Sequence, residues 1–110
     1  MKFLLNVYLD PAAGGVADEA AFTGLIRQSG ELVDGHLFAD PATSAVVRVR
    51  DGVAQVSDGP YLDSGPYARG YYLLDCESLE RAVELAALHP AARIDAVEVR
   101  PLMTSAGLEM

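Results

Sequence analysis

The chain has 110 residues, 51% of them apolar and 22% charged, with a formal net charge of −8. That length supports one core and not two, and that mix excludes the disordered and low-complexity classes. Acidity of this degree also excludes phosphate-backbone binding, which draws on clustered Lys and Arg, so no nucleic-acid partner is expected.

Phe3 to Leu9 is a short run of strand formers that ends at Asp10-Pro11, with Gly14-Gly15 marking a loop. Phe22, Leu25 and Ile26 then repeat at helical spacing, Asp18 and Glu19 suit the positive end of that helix, and Gly30 stops it. Glu31 to Phe38 resumes a strand pattern, closed by Asp40-Pro41. Thr43 to Arg50 alternates, Asp51-Gly52 supplies a hairpin turn, and Val53 to Val56 returns. Ser57 to Ala68 holds the breakers of DGPY and SGPY and reads as a loop, and Arg69 to Asp75 as a strand. Ser78 is a good N-cap for a helix over Leu79 to Leu88, whose stripe is Leu79, Ala82, Val83 and Ala86, and Pro90 closes it. A last strand runs from Ile94 to Arg100. Residues 1–103 thus form one domain, and 104–110 read as a tail.

This order is the split βαβ arrangement of an α+β, ferredoxin-like domain, an antiparallel sheet with two helices on one face. Strand alternation sorts the residues into two sets. Phe3, Leu5, Val7, Leu9, Val33, Leu37, Ala45, Val47, Val49, Tyr72, Leu74, Val97 and Val99 are expected to face the helices. The other set mixes Leu4, Asn6, Tyr8, Asp34, His36, Phe38, Val46, Arg48, Tyr71, Leu73, Glu98 and Arg100. Such a face suits either a homodimer interface enclosing a wet pocket or a sheet turned to water.

Cys76 is the single cysteine, and the opening MKFLLNVYLD lacks a secretion signal's charged and apolar segments. No run reaches the roughly 20 apolar residues of a membrane span. A cytoplasmic protein without membrane association is expected.

The tract VVRVRDGVAQVSDGPY, followed after a loop by RGYYLLDCESLERAVELAALHPAARIDAVEVRPLM, resembles the DGPF group of the YCII-related family, and MKFLLNVY fits its first strand. The resemblance implies a ferredoxin-like fold dimerising as an α/β barrel around a cavity. The namesake motif falls on Asp58, Gly59 and Pro60, with Tyr61 where the group usually has Phe. It also implies acid/base chemistry in some members, from a His on the first helix and an Asp before a Pro after the second. Here those places read Ala20-Ala21-Phe22 and His89-Pro90, so neither residue of that pair is present. Products of this group often accompany extracytoplasmic-function sigma factors, which implies an accessory or regulatory alternative.

Among residues able to carry chemistry, Asp58 either stabilises its turn or projects to a cavity mouth as a general base. His36 falls by parity on the mixed face, as a proton carrier or an interface histidine. Tyr8, Tyr61, Arg48, Arg69 and Arg100 are candidate ligand contacts, the arginines for a carboxylate unless Glu98 and Asp34 pair with them. His89 suits a charge partner at a helix end. No HxxxH, CxxC, phosphate loop or nucleophile elbow appears, so no metal or cofactor is expected. A dimeric small-molecule-binding protein follows, with proton-transfer or lyase-type chemistry as its enzymatic form.

Overall fold

The computed structural model describes residues 1–13, 19–104 and 107–108. The expected loop at Gly14-Gly15, Asp18 at the helix start, and positions 105–106 and 109–110 of the expected tail lie outside the described residues.

Strand β1 (Lys2–Leu9) leads through a single 3₁₀ turn toward α1 (Ala20–Gln28). Then come β2 (Leu32–Leu37), the hairpin β3 (Ala45–Arg50) and β4 (Val53–Asp58), and β5 (Tyr67–Asp75). Helices α2 (Leu79–Ala87) and α3 (Ala91–Ile94) precede β6 (Ala96–Pro101), and β7 (Met103–Thr104) pairs with β8 (Gly107–Leu108). The main sheet has the order β2-β5-β1-β6 with antiparallel neighbours throughout. With the hairpin set aside, this topology is compatible with the ferredoxin-like split βαβ fold.

Alternation in β1 does what the sequence demands. Phe3, Leu5, Val7 and Leu9 are buried beneath the helices with Phe22, Ile26, Tyr72, Leu74, Ala82 and Leu85, while Leu4, Asn6 and Tyr8 are half-buried on the other face. Each large side chain removed from water in this way contributes roughly 1.5–3 kcal/mol. Ser78 caps α2 as expected, its hydroxyl accepting the Arg81 N–H at 3.1 Å.

The hairpin departs from expectation. Asp51 and Gly52 both have positive φ, 51° and 76°, the backbone of a tight two-residue turn, so the local reading holds. Yet among the described residues β3 and β4 pair only with each other, and the main sheet ends at β2. Val47 and Val49, expected under the helices, are 61% and 59% exposed on a projecting arm. Its base is closed by the Gly59 N–H donating to the Ser44 carbonyl. A Cα radius of gyration of 16.0 Å, against roughly 13 Å for a compact chain of this length, reflects that projection.

Two bulges correct the parity further. Leu32 pairs with Leu74 and Asp34 with Leu73, so Val33 is the extra residue; Leu32 packs on the core and Val33 is exposed. Leu37 is likewise exposed, on the edge strand of the sheet.

Candidate functional site

Glu19 occupies the N-cap of α1, where its side chain makes no capping bond. It turns instead across the helix-covered face toward β5. There Oε1 accepts from Arg69 Nε at 3.1 Å and Oε2 accepts from the Tyr72 hydroxyl at 3.0 Å. A bulge makes the first bond possible: Val7 pairs with Gly70 and Tyr8 with Ala68, which leaves Arg69 as the extra residue, out of step with the alternation of β5.

His89 completes the group. It follows α2 directly, and its ring is 1% exposed, packed edge-on against Phe22 and tilted against Tyr72. Nδ1 accepts the Ala91 N–H at 3.0 Å, which places the proton of the neutral ring on Nε2. Nε2 lies 3.8 Å from Glu19 Oε1 and has no hydrogen-bond partner among the described residues. Burial pushes the His89 pKa below the ordinary imidazole range; the Glu19 charge pulls it up and Arg69 pushes it down. Burial, then the charge of Glu19, drives the Tyr72 phenol well above its usual range. Around neutral pH the group therefore holds a neutral histidine donor, a neutral tyrosine donor and an arginine about one carboxylate.

A cavity of about 270 Å³ opens beside this carboxylate, lined by Glu19, Thr23, Gly35, His36, Leu37 and Tyr72. Gly35 is required here, because a Cβ at that position would stand 2.8 Å from Tyr72 Cδ1 and force the ring away.

The residues singled out from sequence are distributed differently. His36 lies on the open face, 66% exposed, 3.2 Å from Asp34 Oδ1, and Asp34 Oδ2 accepts from the Tyr71 hydroxyl at 3.1 Å. Asp58 ends β4, exposed, without a side-chain hydrogen bond to the described residues. Arg100 pairs with Glu98 at 3.3 Å, and Glu98 also accepts from Asn6. Tyr8 and Tyr61 meet in a second cavity of about 390 Å³ with Phe38, Pro60 and Tyr67, and the Arg48 guanidinium lies over the Tyr61 ring, 5.2 Å from its centroid. Three of the seven thus come together and four do not.

Glu19, Tyr72 and His89 were passed over by sequence reasoning. Tyr72 did carry a signal: a tyrosine in an otherwise apolar core set needs a partner for its hydroxyl. Elsewhere, burial and then Glu31 push the Cys76 thiol up to about 11, which leaves it protonated at neutral pH. The described residues contain no cluster of three or more His, Cys, Asp or Glu able to hold a metal, and no helix long and apolar enough to cross a membrane.

A four-stranded antiparallel sheet with helices on one face, and an acid, a histidine and a tyrosine gathered beneath them, defines an α+β domain of ferredoxin-like topology with a buried polar cluster. The model of the YCII-related domain matches residues 1–105, and the chain belongs to that family. No curated protein matches the chain.

Proposed function

We propose that the protein binds a small polar compound in the cavity beside Glu19 and moves a proton there. Glu19 is the proton acceptor at the cavity wall, Tyr72 a donor next to it, and Arg69 the group that fixes the carboxylate. His89 directs its Nε2 proton at the same carboxylate from behind.

The observation that carries this reading is the unpartnered Nε2 of His89, buried 3.8 Å from Glu19 Oε1. A buried donor without an acceptor costs about 1–3 kcal/mol. A cost of that kind is tolerated where a group serves something besides folding. Position adds support. The resemblance to acid/base members of the family puts a His on the first helix and an acid before a proline after the second. In this chain the histidine stands at the second place, before Pro90, and the acid Glu19 is the N-cap just ahead of the first.

The test is a thermal-shift screen of small carboxylic acids, phenols and amides, with hits followed by NMR for exchange of their carbon-bound protons in D2O. At least one compound is expected to raise the Tm by about 5 °C at saturation and to exchange. Glu19→Gln should abolish the exchange. No stabilising compound, or exchange unchanged in Glu19→Gln, contradicts the proposal.

The same reading pairs the chain with a second copy. One face of the arm is made of Val47 opposite Val56 and Val49 opposite Ala54, all exposed. A two-stranded ribbon is marginal by itself, and two-fold pairing is the commonest way to cover such a surface. Analytical ultracentrifugation should find a dimer that Val47→Asp with Val56→Asp converts to monomer; a wild-type monomer rejects it. The net charge of −8 favours an accessory alternative, docking on a basic sigma-factor domain; a pull-down insensitive to neutralised surface acids would reject that.

A further inference from the structure

We infer that the 390 Å³ cavity at the base of the arm is a separate binding site for a small planar aromatic carboxylate. Its volume falls in the range of small-molecule sites, about 300–1,000 Å³. Its walls are flat and apolar, with Tyr8, Phe38, Tyr61 and Tyr67 around Pro60 and Pro66. Rings of this kind accept another ring by stacking or edge contact. The hydroxyls of Tyr8, Tyr61 and Tyr67 make no hydrogen bond to the described residues, so they remain as donors for an oxygen on the ligand.

The charge comes from Arg48. Its guanidinium is held over the ring of Tyr61, a residue of the cavity wall, 5.2 Å from the centroid. Among the described residues it meets no carboxylate, whereas Arg69, Arg81 and Arg100 are each paired with a glutamate. A planar guanidinium stacked on one ring and unpaired at its edge offers two parallel N–H groups to a carboxylate. One cation beside an apolar slot selects a monoanion with a flat body. A neutral ring leaves Arg48 unused, and a phosphate dianion calls for more positive charge than this site holds.

This site is independent of the Glu19 cluster, since the two cavities share no lining residue. The experiment titrates the full chain with benzoate and with benzyl alcohol, by calorimetry and by NMR of the aromatic side chains. Benzoate should bind with shifts at Tyr8, Phe38 and Tyr61, and benzyl alcohol about tenfold more weakly, the size of one charge-assisted contact. Arg48→Gln should remove that tenfold difference and leave benzyl alcohol binding unchanged. Arg50→Gln is the matched control, because Arg50 is also exposed on β3 and donates to the Val49 carbonyl; it and Glu19→Gln should leave benzoate binding as in wild type. Equal affinity for the two probes, benzoate binding unaffected by Arg48→Gln, or its loss in Glu19→Gln overturns the inference.

Discussion

Tyr71 and Tyr72 are neighbours on β5 and point to opposite faces of one sheet, and each joins an acid and a histidine. On the open face Tyr71 and His36 meet Asp34; on the helix-covered face Tyr72 and His89 meet Glu19. The functional groups match, but their surroundings do not. His36 is 66% exposed and its contact with Asp34 is made in water, where such pairs contribute little. His89 is sealed off and Glu19 is 11% exposed, so each unmade or broken bond there is felt in full. Burial, more than residue type, decides how much each trio's bonds are worth.

The widest separation is expected from removing each acid. Glu19→Ala strands Arg69 and the Tyr72 hydroxyl on a largely buried face and should cost about 3 kcal/mol. Asp34→Ala should cost under about 1 kcal/mol. Urea denaturation of both variants measures the gap, and equal losses would erase the distinction between the faces.

Next in size is the glycine that lets Tyr72 lie flat. Gly35→Ala sets a methyl group 2.8 Å from the Tyr72 ring and should destabilise by about 2 kcal/mol. Gly24→Ala in α1 meets nothing within 4 Å and should stabilise by up to about 1 kcal/mol. Opposite signs in Tm are the expected readout.

A smaller effect concerns pH. The unfolded chain's histidine takes up a proton below about pH 6.5, whereas buried His89 resists it. The unfolded state then binds more protons, so the stability present above about pH 6.5 is lost as pH falls toward the lowered folded value. His89→Gln should flatten that slope. The smallest effect belongs to His36→Gln, within about 0.5 kcal/mol of wild type.

Local devices were legible in the sequence. Asp51-Gly52 announced its turn, Ser78 its cap, and the alternation of Phe3 to Leu9 its buried face, because each is decided by residues a few positions apart. The arm was not, since the pattern of Val47 and Val49 says that one face is apolar without saying what lies across it. Nor were the bulges at Val33 and Arg69, which shift parity with no mark in composition. The candidate site depended on both failures. Arg69 was read as a ligand contact, Glu19 as a helix-end charge, and His89 as a charge partner at a helix end, while the contact among them exists only once α1, the end of α2 and β5 are packed together.

The most direct measurement is the ¹⁵N NMR titration of the two imidazoles in the folded chain. The structure predicts that His89 is neutral at pH 7 with its proton on Nε2, that it titrates below the ordinary histidine range, and that Glu19→Gln lowers it further. A His89 that is charged at pH 7, carries its proton on Nδ1, or titrates the same with and without Glu19 would contradict the pairing on which the proposed function rests.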